Sequence, residues 1–168
     1  MPSTHMTKRV RAAPDQVFDM VADVENYPKF INLITNLRIT KKISETDFEA
    51  EAIVAYKMFR ETFHSHIHID REVGLIRVTK AEKGGAVKTL ENKWRFHELS
   101  DGSTAVDFYV DVSLKAFPLN MIVREKMGRA AEVIMAAFER RAAQICDEVG
   151  NKGESPEFLA EINSKTMV

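Results

Sequence analysis

The sequence predicts an α+β domain in which a seven-stranded, curved antiparallel sheet wraps around one long C-terminal helix, with two short helices after the first strand. Two changes of period carry this reading. From Asn36 to Leu114 apolar residues recur at every second position, and from about Leu119 to Val149 they recur at helical spacing. A third observation is the proline punctuation near the start, Pro14 and then Asn26-Tyr27-Pro28, which marks two short helices before the alternating region.

Taken in order, Thr7 to Ala12 reads as the first strand. Pro14 suits the first turn of a helix, where an N–H has no partner to lose, and Asp15 faces the positive end of that helix's dipole. Val17, Phe18 and Val21 give it one apolar face. Asn26-Tyr27-Pro28 interrupts it, because a residue before proline is pushed out of helical angles. A second short helix is expected through Phe30 and Ile34.

Four strands then show clear alternation. Phe48, Ala50, Ala52 and Val54 form one apolar row, Phe63, Ser65, Ile67 and Ile69 a second, Leu90, Asn92, Trp94 and Phe96 a third. Val106, Phe108, Val110, Val112 and Leu114 form the fourth. Polar partners between them predict strands with one dry and one wet face. Turn signals at Ser44–Asp47, Val73-Gly74, Gly84-Gly85 and Ser100–Ser103 separate seven strands in all. The final helix carries Ile122, Met127, Ala130, Ala131, Ile134, Phe138, Ala142, Ile145 and Val149 on one stripe. The expected domain is 1–149. Polar composition with Gly153 and Pro156 predicts a disordered tail over 150–168.

Composition excludes several classes. Apolar residues make up 45% and charged residues 29% of the 168, as in an ordinary soluble domain. A formal net charge of −1 argues against a general DNA binder. The lone Cys146 cannot form an internal disulfide and implies a reducing compartment. No stretch reads as a signal sequence or a membrane span.

Nothing resembles a catalytic engine: no nucleophile has an evident base, no glycine loop grips phosphate, and no carboxylate pair lies on an apolar face. The expectation is a binding protein without a cofactor rather than an enzyme. His64, His66 and His68 share a strand face, but their partners Phe63, Ile67 and Ile69 claim the dry side. No cysteine or carboxylate visibly converges on them, so no metal site is expected. Arg60 and Glu61 point to opposite faces; they read as a surface pair with cross-strand partners or, with one of them buried, as a polar anchor for a ligand. Asn92 and Tyr109 are the other polar candidates for an apolar pocket, and Asn92 is preferred because it shares a face with Trp94 and Phe96. Cys146 reads as a core residue of the last helix.

The connection Leu114–Val123 is unusually apolar for a loop, with Lys115, Arg124, Lys126 and Arg129 beside it. An apolar wedge with a basic flank is the make-up of an interfacial membrane contact, and equally of a tucked-in core cap.

Three ordered motifs are similar to a known family. Ala22-Asp23-Val24-Glu25-Asn26-Tyr27-Pro28-Lys29-Phe30 resembles the opening motif of coenzyme Q-binding proteins within the START-like superfamily. Phe59–Phe63 and Leu90–Phe96 resemble its two other signature strands, and the likeness runs from Thr7 to Glu148. It departs at Asn32-Leu33-Ile34, where relatives carry Pro-Trp-Cys, and at Gly85-Ala86-Val87, where many carry Gly-Pro-Phe.

The resemblance implies a START-like helix-grip fold and a tunnel under the long helix that binds ubiquinone or another polyprenyl lipid. The protein would be a lipid chaperone supporting respiratory electron transport. The expected lining is Phe30, Ile34, Phe63, Ile67, Asn92, Trp94, Phe96, Phe108, Val110, Phe117, Leu119, Ile122 and Met127. The resemblance tips the apolar connection towards a membrane contact made by Lys115, Phe117, Leu119, Ile122, Val123, Arg124 and Lys126 with an anionic surface. The compact start then places the protein in a bacterial cytoplasm, peripheral at the inner face of the membrane. The same family includes ribosome-association toxins, so contact with the ribosome is a second reading. Cyclase or aromatase chemistry, known in related helix-grip domains, is a third and would need a protonatable group deep in the cavity.

Overall fold

A computed structural model describes residues 3–56, 59–81 and 85–151. Seven strands run as β1 (Ser3–Val10), β2 (Ile34–Lys42), β3 (Asp47–Tyr56), β4 (Phe59–Asp70), β5 (Leu75–Lys80), β6 (Val87–Glu98) and β7 (Thr104–Leu114). They form one antiparallel sheet in the order β1-β7-β6-β5-β4-β3-β2. Helix α1 (Pro14–Ala22), a 3-10 helix (Val24–Lys29) and helix α2 (Phe117–Ile145) complete the chain. The α+β helix-grip expectation holds.

Register explains how the sheet makes one face. Ile76, Trp94, Phe108 and Met6 lie side by side across β5, β6, β7 and β1. Phe48, Ile67, Val78, Asn92, Val110 and Thr4 form the next row, from β3 to β1. Irregular register in β2, at Ile34/Asn36 and Ile39/Lys41, and between Val87 and Thr89 of β6 bends the sheet where it meets the helices. Helix α2 packs over β7 and β1 and touches α1. At ~1.5 Å per residue its 29 residues extend about 44 Å.

Several boundaries differ from the sequence reading. The first strand starts earlier, at Ser3, because β1 finds a full-length partner in β7. The first break falls at Asp23 (φ −83°, ψ 68°), and the 3-10 helix runs through Asn26, Tyr27 and Pro28. A 3-10 turn asks less of the residue before proline than an α-helix does. Ile34 therefore opens β2 instead of closing a helix. Helix α2 takes Pro118 into its first turn and ends at Ile145, since Cys146 is extended. Val149 lies beyond the helix, its N–H donating to the Arg11 carbonyl at 3.1 Å. Met135, fully buried, replaces the exposed Ile122 and Ile145 on the helix's inner stripe.

The segment after α2 is knitted back to the start of the chain. Asp147 and Gln16 exchange hydrogen bonds of 2.9 and 3.1 Å, and Arg11 pairs with Glu148 at 2.7 Å. Arg11 also donates to the Gly150 carbonyl, and Arg9 to the Asn151 carbonyl. Gly150 has φ +84°, and a Cβ there would sit 2.4 Å from Asp101 Oδ2, so only glycine fits. Gly150 and Asn151 thus belong to the ordered domain, and the rest of the expected tail lies outside the described residues.

At the centre of this knot Asp101 accepts from Arg9 at 2.5 Å and from Ser103 and Asn151. The side chains of Arg9 and Asp101 are 3% and 7% exposed. Burial pushes the Asp101 carboxyl up, but bonds from Ser103, Asn151 and Arg9 outweigh it and hold the group well below the carboxylate range. A depressed folded-state pKa stabilises fully above the unfolded value of about 3.9 and is lost as pH falls below it. Asp101→Asn should cost about 3 kcal/mol at pH 7, because Arg9 stays charged and buried without the carboxylate that balances it. Urea unfolding at pH 7 and at pH 3 checks this: the gap from the parent should shrink at the lower pH.

Candidate functional site

Aromatic side chains close one half of the inner face. The Trp94 ring lies 4.6 Å from Phe108 and 4.8 Å from Phe138 of α2. Phe138 also meets Tyr27 at 5.1 Å and Phe30 at 5.2 Å, while Phe96 meets Phe18 of α1 at 5.4 Å. Edge contacts dominate, the geometry that ring quadrupoles favour. Tyr27 donates its hydroxyl to the Val21 carbonyl, and burial, then the Asp23 charge, push its ionisation above the ordinary tyrosine range.

Beyond Trp94, towards Tyr56 and Leu90, the inner face changes character. Val54, Phe63, Val78, Leu90, Val110 and Val112 are inward by register, yet each remains half-exposed. Helix α2 offers Met127 as its first buried side chain, with Leu119 and Val123 half-buried before it. The arrangement leaves a strip of apolar surface only partly covered by the first turns of α2.

The polar groups of this face are few. Asn92 accepts from the Trp94 indole N–H at 2.9 Å and donates to the Tyr109 carbonyl at 2.9 Å. Asn92 therefore fixes the Trp94 ring, and only part of its capacity faces the strip. Lys80 stands opposite the buried Ser65 on the inner side, a pair that the alternation did not single out because Lys80 lies in a short strand without a clear apolar row. Glu61 is inward and half-buried while Arg60 is exposed, so they do not act as a surface pair. Tyr109 lies on the outer face, under Lys93 Nζ at 5.4 Å.

The remaining expected lining residues separate by depth. Ile67, Trp94, Phe96, Phe108 and Met127 are buried, whereas Phe30, Ile34, Phe63, Asn92, Val110 and Leu119 are half-buried. Phe117 and Ile122 are 73% and 41% exposed, and Met121 joins them at 48%. Lys115, Arg124 and Lys126 are exposed around them. The apolar connection is therefore a protruding first turn of α2 rather than a tucked-in cap.

On the outer face the histidines do meet carboxylates. His66 and His68 both reach Asp47 Oδ1, at 2.8 and 3.1 Å, and His64 lies 3.8 Å from Glu51. Bonds from Thr46 and His66 lead in lowering the Asp47 carboxyl to about 2. The pairing of β3 with β4 creates these contacts, which spacing within one strand cannot reveal. Among the described residues no group of three or more such side chains gathers as a metal site. Cys146 is half-buried at the end of α2, and burial, then Asp147 and Asp19, push its thiol up. No helix among the described residues is long and apolar enough to cross a membrane.

Comparison with known proteins agrees with this geometry. The ribosome association toxin RatA of Rickettsia prowazekii is 27% identical over 148 residues, covering 86% of this chain and 99% of that protein. An 18 kDa protein of Caulobacter crescentus, solved in solution, is 32% identical with a TM-score of 0.71, covering 86% of this chain and 98% of its own. The Zhui aromatase/cyclase of a Streptomyces species reaches a TM-score of 0.75 at 17% identity, covering 84% and 93%, a likeness of fold alone. Residues 10–139 match the family described as polyketide cyclase / dehydrase and lipid transport. With that match over most of its length and the START-like helix-grip architecture, the chain belongs to this family.

Proposed function

We propose that the protein is a lipid chaperone that shelters a polyprenyl quinone such as ubiquinone between its inner sheet face and α2, and exchanges it with a membrane in support of respiratory electron transport. One observation carries the reading: the half-exposed apolar strip from Val54 and Phe63 to Val110 and Val112, beside a fully packed aromatic core. Covering apolar surface releases about 25 cal/mol per Å². An isoprenoid tail can therefore be held without directional contacts, and the strip offers few. The exposed Phe117, Met121 and Ile122, with the cations Lys115, Arg124 and Lys126 near them in the chain, support transfer at an anionic lipid surface. This is binding and delivery, with no chemical step asked of the protein.

A second reading is favoured by the likeness to a ribosome association toxin. In it the protein would bind the large ribosomal subunit and block subunit association, through cations of the long helix such as Arg124, Lys126, Arg129, Arg140 and Arg141. Lipid extraction with mass spectrometry, run beside co-sedimentation with ribosomes, separates the two. A lipid-free protein that sediments with the large subunit would replace the carrier reading.

Quinone titration in detergent should quench Trp94 fluorescence saturably. Ala52→Phe, which fills the strip from β3, should weaken that binding by about tenfold, about 1.4 kcal/mol, with thermal unfolding little changed. No quenching by short- or long-tailed quinones would sink the carrier idea.

The double variant Phe117→Asp/Ile122→Asp should fold, because both side chains are exposed. It should lose vesicle binding and quinone transfer between vesicles while keeping quinone binding in detergent. Donor–acceptor transfer measurements check this; unchanged transfer would remove the first turn of α2 from the delivery step.

A further inference from the structure

A cleft of about 390 Å³ opens where β6 begins, β7 ends and α2 starts. Lys88 and Thr89 line it from β6, Ser113 and Lys115 from the end of β7, and Asn120 and Arg124 from α2. None of its described lining residues is acidic, and Lys88, Lys115 and Arg124 form no ion pair with a described carboxylate. From Lys115 to Arg129 the chain carries four cations and one carboxylate, Glu125.

The neutral groups also present donors. Asn120 Oδ1 accepts the Leu114 N–H at 3.0 Å, which leaves its amide N–H groups for another acceptor. Thr89 and Ser113 hydroxyls bond one another, so only one of their two protons is used. Three cations, an amide and a spare hydroxyl proton call for a compact anion rich in acceptor oxygens.

The surroundings decide where that anion comes from. Phe117 lines the same cleft and is 73% exposed, with Met121 and Ile122 beside it. Phosphate-seeking groups in one cleft with an exposed apolar tip match the pairing of headgroup and acyl chain at a bilayer surface. Nucleic acid would supply phosphates but nothing to cover the aliphatic Met121 and Ile122.

We infer that this cleft takes the phosphate of an anionic phospholipid headgroup while Phe117, Met121 and Ile122 enter the interface beneath it. The inference deepens the membrane-facing part of the proposed function and is independent of which lipid the strip carries. Each cation contributes about fivefold to affinity for an anionic surface, about 1 kcal/mol.

Asn120→Asp is the decisive variant. It keeps the acceptor for the Leu114 N–H, so the turn is preserved, and it places a negative charge in the cleft. Lys88→Gln, at an exposed position, is the second. Flotation with vesicles of phosphatidylcholine alone, and doped with phosphatidylglycerol, reads the outcome. The parent should prefer doped vesicles; Asn120→Asp should lose about tenfold and Lys88→Gln about fivefold on them, with binding to pure phosphatidylcholine unchanged.

Trp94 quenching by quinone in detergent should be the same in both variants. If it is absent even in the parent, the carrier reading falls while the vesicle comparison still stands. Equal affinity of parent and Asn120→Asp for doped vesicles overturns the headgroup site. So does binding of inorganic phosphate, followed by the Thr89 and Ser113 amide resonances, in a parent with no preference for doped vesicles. Loss of ribosome co-sedimentation in Asn120→Asp with vesicle binding intact assigns the cleft to RNA and likewise overturns it.

Discussion

Phe138 is the point at which three separate pieces of the chain meet. Its ring touches Trp94 of the sheet, and Tyr27 and Phe30 of the 3-10 segment, from a helix that begins more than twenty residues earlier. Removing it would open a void shared by all three, a loss of about 3–5 kcal/mol for a buried phenylalanine. Because the buried contacts of α2 run from Met127 to Ala142 around this cluster, they also determine what α2 leaves uncovered. A rigid helix crossing a curved sheet packs closely over a limited stretch. The half-exposed strip beyond Trp94 is the geometric remainder of that contact.

Much of this architecture was legible in the alternation of β3, β4, β6 and β7, because a dry face and a wet face leave a period of two. The long helix was legible for the same kind of reason, although its inner stripe was misread at Ile122, Ile145 and Met135. Methionine, charged and apolar residues intermingle there, and a 29-residue helix that leaves its first turns uncovered does not keep one uniform stripe. The second short helix was displaced because a 3-10 segment tolerates Pro28 where an α-helix would end.

The site was less legible than the fold, and the reason is register. Asn92 was visible as a polar residue in an apolar row, but its bond to the Trp94 indole needs three-dimensional neighbours to be seen. The Asp47 contacts of His66 and His68 depend on how β3 slides against β4. Lys88 and Asn120 lie 32 positions apart and meet only because the β6–β7 pair brings the start of one strand to the end of the next. Composition at Phe117 and Ile122 did foretell an unusual connection, since apolar side chains in a loop have to be either tucked in or used.

The knot of Arg9, Asp101, Gly150 and Asn151 has a mechanical corollary. Together with the bonds of Gln16 and Arg11 to Asp147 and Glu148, it clamps the chain just past the far end of α2. The opposite end emerges from β7 through two residues and buries no side chain before Met127. That first turn is held by the short connection and by the Leu114 N–H bond to Asn120 Oδ1, with little buried packing of its own. The core packing of α2 is thus concentrated after its first ten residues, around Phe138 and next to the clamp. Substitutions near Phe117 therefore fall on exposed side chains and disturb little of the packing that holds the helix.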